Sequence, residues 1–83
     1  MNIEVLKDLR HKLVNKFNLA NSFLDIDLIG DIFIINWSCY NDAYINYDKD
    51  VYPLVKFCKK YLKKHNQTGF FYDAVYSHKV EEV

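Results

Sequence analysis

The stretch FLDIDLIGDIFIINWSCY, residues 23–40, constrains the fold most, because it predicts a two-stranded hairpin whose register can be read directly. Gly30 can adopt a positive φ without steric cost, so Gly30 and Asp31 supply a two-residue turn that matches the twist of the flanking strands. Counting outwards from this turn, Ile29 pairs with Ile32, and each residue before Ile29 pairs with the residue at the same distance after Ile32. The register therefore follows from the position of one glycine.

Alternation of side chains across the pleat divides the hairpin into two faces. The members of the first are all apolar or weakly polar: Leu24, Ile26, Leu28, Phe33, Ile35, Trp37 and Cys39. This face must be covered for the hairpin to persist in water. The members of the second are mixed: Asp25, Asp27, Ile29, Ile32, Ile34, Asn36, Ser38 and Tyr40. The first face is predicted to lie against the core.

A length of 83 residues predicts one domain, residues 1–83, with a single small core. Hydrophobic residues make up 51% of the chain, which excludes intrinsic disorder. Cys39 and Cys58 show no metal-ligand spacing, so both are predicted to be reduced and buried, and neither a metal nor another cofactor is expected. No apolar run reaches the roughly 18 residues that cross a bilayer, so a cytoplasmic protein without membrane contact is expected.

Two amphipathic helices are predicted on either side of the hairpin. The first spans residues 3–18, with leucines and a phenylalanine at spacings of three and four. The second follows Asp50, a good N-cap, carries Pro53 in its first turn and ends near Asn66. Opposite its apolar stripe lie five lysines: Lys56, Lys59, Lys60, Lys63 and Lys64.

Two further strands are predicted outside the hairpin. Residues 43–47 are rich in strand-favouring side chains and would extend the hairpin into a meander, with Asn46 beside Trp37. Residues 70–76 form a final strand, and the tail 77–83 is predicted to be frayed. The element order is thus helix, strand, strand, a third strand, helix, strand.

This order predicts an α+β fold, a two-layer sandwich in which two helices cover one face of a mainly antiparallel sheet of three or four strands. The other face would then be exposed. Its apolar members would form a patch for a partner or for a homodimer: Ile29, Ile32 and Ile34, joined by Ile45 and Tyr47. The alternative architecture places one helix on each face and removes this patch.

The sequence offers little for catalysis. Asp25 and Asp27 project from one strand face about 7 Å apart, a spacing that paired carboxylates can use. No nucleophile, metal ligand or glycine-rich loop accompanies them, and acids on the solvated face of a hairpin are the ordinary case. The protein is not expected to be an enzyme.

Nucleic-acid binding is one alternative. The lysines of the second helix could neutralise phosphates, while Tyr and Phe on strands could stack on bases. The predicted order from the first helix to the second resembles that of double-stranded-RNA-binding domains, which implies binding to duplex RNA. The resemblance covers element order alone, since that family's glycine-proline loop is not matched and Asp48 and Asp50 stand where positive charge would be wanted. A net charge of zero favours a solvated lysine face instead.

A protein-interaction role is the preferred interpretation. Residues 21–50 carry six acidic side chains and one basic one, and the chain contains seven tyrosines, which suit interfaces. The predicted acidic and aromatic surface comprises Asp25, Asp27, Asp31, Asp42, Tyr44, Tyr47, Asp48 and Asp50. Abundant Asn, Ile, Lys and Tyr are typical of an A+T-rich genome. The chain is therefore interpreted as a phage or mobile-element inhibitor or adaptor acting on a host protein, such as a nucleic-acid-binding effector, in the manner of anti-CRISPR proteins.

Overall fold

The computed structural model describes residues 2–17, 19, 22–39, 46–73 and 79–83. The elements in chain order are α1 (Asn2–Lys16), β1 (Ser22–Ile29), β2 (Ile32–Cys39), a π-helical turn (Tyr47–Val51), α2 (Tyr52–Lys64), β3 (Thr68–Asp73) and β4 (Lys79–Glu82). The predicted α+β class is confirmed, and so is the order of helix, two strands, helix and strand.

The hairpin forms with the predicted register. β1 and β2 pair in antiparallel fashion, from Ile29 opposite Ile32 at the turn to Leu24 opposite Trp37 and beyond. Gly30 has a φ of 62°, the left-handed conformation that glycine adopts at no steric cost. The turn residue therefore determines the register of this half of the sheet.

The second neighbour of β2 is β3, which runs parallel to it, so the sheet order is β1-β2-β3-β4. The predicted meander is therefore wrong where it can be tested, because Trp37 pairs with Asp73 rather than with Asn46. The Asn46 side chain instead accepts a hydrogen bond of 3.0 Å from the backbone N–H of Lys49 and caps the π-helical turn. Residues 41–45 lie outside the described part of the chain.

The prediction of a frayed tail at 77–83 is wrong for its last five residues. β4 pairs with β3 in antiparallel fashion, and Val83, which follows β4, is 9% exposed. Gly69 and Val83 exchange two backbone hydrogen bonds of 3.1 and 3.0 Å. Without β4, the outer edge of β3 would leave backbone N–H and C=O groups unpaired. Such groups can pair with a segment of low intrinsic strand propensity, which explains why the tail is ordered.

Both helices lie on the same face of the sheet, as the two-layer prediction requires. The core joins residues of α1, the π-helical turn and α2 to one face of all three long strands: Leu6, Leu9, Leu13, Ile26, Phe33, Ile35, Trp37, Val51, Leu54, Val55, Cys58, Tyr61, Leu62 and Phe71. Leu24 and Leu28 are half-buried against it. The alternative with one helix on each face is excluded, and the side chain of Cys39 lies outside the described part.

Cys58 is fully buried in the core, as the sequence predicts, and burial raises the pKa of its thiol to about 12. In a Cys39→Ser background, we expect Cys58 to resist an aromatic disulfide reagent at about pH 8 and to react at once after denaturation in urea.

Because the folded pKa of Cys58 lies above the unfolded value of 9.0, this thiol stabilises the fold fully below pH 9.0. The free energy of unfolding should then fall by about 1.4 kcal/mol per pH unit as the pH rises from 9.0 towards 12. Rapid reaction of Cys58 with the disulfide reagent in native buffer would contradict its burial, because α2 would then open or the thiol would be accessible.

Candidate interaction surface

The candidate site is the sheet face that the two helices leave uncovered, called the open face below. Its described side chains follow from the strand register and from the alternation of burial along each strand. They are Phe23, Asp25, Asp27 and Ile29 from β1, Ile32, Ile34, Asn36 and Ser38 from β2, Thr68, Phe70 and Tyr72 from β3, and Glu82 from β4. The open face therefore draws on all four strands.

The apolar part of the open face is well exposed. Ile29 and Ile32 lie opposite each other beside the hairpin turn and are 66% and 41% exposed. Ile34 follows Ile32 on the same face of β2 and is half-buried, while Phe23, at the other end of β1, is 52% exposed. The three isoleucines of the predicted patch therefore lie on one face. Monomers seldom leave so many large apolar groups in water on one face, which makes this face the candidate interaction surface.

The sequence did not connect β3 with this patch. Phe70 lies beside Ile34 in the parallel pair, and the rings of Phe70 and Tyr72 are 6.5 Å apart on the same face. Period-two alternation shows that Phe70 and Tyr72 share a face of β3 and that Phe71 belongs to the other. Both faces of that strand are partly aromatic, however, so the pattern alone leaves open which of them meets the core.

Acidic groups lie on the two edge strands of the open face, β1 and β4. Asp25 is half-buried opposite Asn36, whereas Asp27 is exposed opposite Ile34. Glu82 is exposed on β4, where it pairs with a residue of β3. Every charged side chain of the open face that the structure describes is therefore a carboxylate, and the surface combines apolar contact area with negative potential.

The other predicted acidic residues lie elsewhere. Asp31 is in the hairpin turn, where its carboxylate accepts a hydrogen bond of 3.3 Å from the side-chain amide of Asn2. The carboxylate of Asp50 accepts a bond of 2.9 Å from the backbone N–H of Asn46, which holds the start of the π-helical turn. Also in that turn are Tyr47, which packs against the core, and Asp48. Outside the described residues lie Asp42, Tyr44 and Ile45. The predicted acidic surface is thus divided, with Asp25 and Asp27 as its part on the sheet.

The predicted lysine row is exposed on the solvent side of α2, in the layer opposite the open face. Its members are Lys56, Lys59, Lys60, Lys63 and Lys64. With α1, the helical layer carries nine basic and two acidic side chains. Since the whole chain has a net charge of zero, the rest of the chain carries the balancing negative charge.

The described residues contain no group of three or more His, Cys, Asp or Glu side chains placed to hold a metal ion. Nor does either described helix have the length and apolar character needed to cross a membrane. Comparison of the chain with protein-family models, with curated proteins and with solved structures found no match.

Proposed function

We propose that the protein is a non-enzymatic interaction module that binds a host protein through its open face. The observation that carries this proposal is the composition of that face, which combines exposed aromatic and aliphatic side chains with carboxylates. Apolar and aromatic groups supply contact area that is desolvated on binding. Carboxylates around them select a partner by charge and steer its approach.

The charge of the open face defines the partner. Asp25, Asp27 and Glu82 have no described lysine or arginine on their own face to pair with. A complementary surface therefore presents an apolar patch bordered by Lys or Arg. Nucleic-acid-binding proteins carry such basic surfaces, and a small acidic protein can occupy one in place of phosphates.

A second copy of the chain fits the open face less well. Two open faces packed against each other would bring Asp25 and Asp27 of both copies into one interface, where like charges repel and desolvation is costly. A basic heterologous partner removes that cost. The proposed role is accordingly that of an inhibitor or adaptor from a phage or other mobile element, acting in the host cytoplasm on a nucleic-acid-binding effector.

The test is capture from a lysate of an A+T-rich bacterium, with and without nuclease treatment. We expect the tagged protein to retain one stoichiometric basic protein that survives nuclease treatment. Asp25→Lys with Asp27→Lys should lower its recovery at least tenfold, because both substitutions reverse charge within the open face. The matched control is Asp31→Lys with Asp48→Lys, which changes the net charge equally but lies off that face and should retain the partner.

Equal recovery with the two double variants would contradict a role for the open face. Partners that disappear after nuclease treatment would show that nucleic acid rather than protein mediates capture. Circular dichroism of both variants establishes that each is folded, so that a lost partner reports on binding and not on stability.

A further inference from the structure

We infer that the helical layer is a second binding surface, which takes the phosphate backbone of a nucleic acid independently of the open face. The two helices carry nine basic side chains against Glu4 and Asp8. Asp8 is already engaged, because it accepts a hydrogen bond of 2.5 Å from the Tyr61 hydroxyl and pairs with Lys12 at 3.2 Å. The positive charge of the layer is therefore largely uncompensated within the layer.

The groove between α1 and α2 concentrates this charge around aromatic rings. The Lys12 ammonium lies 5.4 Å from the centre of the Tyr61 ring, and that of Lys16 lies 5.1 Å from the centre of the Phe57 ring. Lys12, Lys16, Phe57 and Asn15 line an open cavity of about 350 Å³. The groove thus brings cations next to aromatic rings, a combination that accepts both a phosphate and a base.

The second helix adds further cations on the same side as this groove. Lys60 and Lys64 follow Phe57 by three and seven residues, which places them on the same side of α2 as that ring. Lysines four residues apart, such as Lys60 and Lys64, are separated by about 6 Å along the helix axis. A row of cations at such intervals suits a linear polyanion better than a single small anion.

A membrane surface fits this layer less well than a nucleic acid. A helix that lies on a bilayer inserts its apolar side among the lipid chains. The apolar side of α2 is already buried in the core, where Leu54 is 2%, Val55 3% and Leu62 0% exposed. What remains outside is cationic, which matches a polyanion bound through its phosphates.

The helical layer and the open face lie on opposite sides of the sheet, so one molecule can use both at once. A nucleic acid on the helices and a basic protein on the strands would be joined by the same small domain. This inference does not depend on the proposed function, because its surface, its ligand and its decisive residues are different.

The test is fluorescence anisotropy with a labelled single-stranded DNA of about 20 nucleotides, titrated with the full chain at several salt concentrations. We expect the logarithm of the association constant to fall linearly with the logarithm of salt, with a slope of about −3 or steeper. Lys60→Gln with Lys64→Gln should make that slope shallower by about 1.4, which corresponds to roughly 25-fold weaker binding at about 0.1 M salt.

The matched control is Lys7→Gln with Lys49→Gln, which removes the same charge at positions away from Lys12, Lys60 and Lys64. Lys7 lies about 140° around α1 from Lys12, and Lys49 belongs to the π-helical turn. Binding by this control should stay within about threefold of the wild type. Equal losses for the two double variants, or no binding by the wild type at the lowest salt, would overturn the inference. Sedimentation with phosphatidylserine vesicles that DNA does not compete away would assign the layer to membranes instead.

Discussion

Replacing Gly69 with alanine is expected to destabilise the protein by about 3 kcal/mol, because β2 and β3 approach too closely there for a side chain. A Cβ at this position would overlap the carbonyl oxygen of Phe33 and lie 2.9 Å from the Phe33 Cβ. Neither strand can move freely, because β2 is also paired with β1 and Gly69 of β3 also exchanges hydrogen bonds with Val83. The strands would have to separate at the centre of the sheet.

Urea unfolding followed by circular dichroism measures this effect, and the matched control is Gly30→Ala. A Cβ on Gly30 meets nothing within 4 Å, so only its φ of +62° is unfavourable, at about 1 kcal/mol. Adding Phe33→Ala should not rescue Gly69→Ala, because the closest overlap is with backbone. If Gly69→Ala cost no more than Gly30→Ala, the close parallel pairing of β2 and β3 would be wrong.

Replacing Tyr61 with alanine is expected to cost about 3 kcal/mol or more, because this side chain joins the two helices. The ring is 6% exposed and lies between Phe57, at a centroid distance of 6.3 Å, and His65, at 4.4 Å. Its hydroxyl donates to the carboxylate of Asp8 on α1. Truncation removes buried aromatic area and the link between the helices together, and urea unfolding again measures the loss.

Tyr61→Phe separates the hydroxyl from the ring and should change the pH dependence of stability. Burial and the hydrogen bond to Asp8 raise the pKa of Tyr61, so its contribution is complete below the unfolded value of 10.0 and is lost as the pH rises above it. The Tyr61 hydroxyl, together with Lys12, lowers the pKa of Asp8. That contribution is present above the unfolded value of 3.8 and is lost as the pH falls through the lower folded pKa.

Phenylalanine at position 61 should therefore weaken both pH dependences while keeping most of the packing. Tyr52→Phe is the control, since Tyr52 lies on the same helix and is 48% exposed. Unfolding free energies measured near pH 3, 7 and 11 distinguish the two variants. An unchanged pH profile for Tyr61→Phe would show that the bond to Asp8 contributes nothing to folding.

Much of the candidate site could be predicted from local patterns. Alternation along the hairpin placed Asp25, Asp27, Ile29 and Ile32 on one face, and the turn at Gly30 ensured that both strands present that face together. The remaining predicted acids were grouped by charge alone. The structure separates these acids, because Asp31 lies in the hairpin turn and bonds to Asn2, whereas Asp50 accepts a bond from the backbone N–H of Asn46 in the π-helical turn.

The sequence by itself determined the hairpin register, the two helices and the division of the hairpin into a core face and an exposed face. These features depend on residues close together in the chain, so side-chain periodicity and turn chemistry are sufficient to specify them. The tertiary structure decided that β3 lies parallel beside β2, that β4 covers the outer edge of β3, and that Phe70 and Tyr72 join the isoleucines. Pairing between distant strands depends on which edge is available and how closely two backbones can approach, as at Gly69 and Phe33.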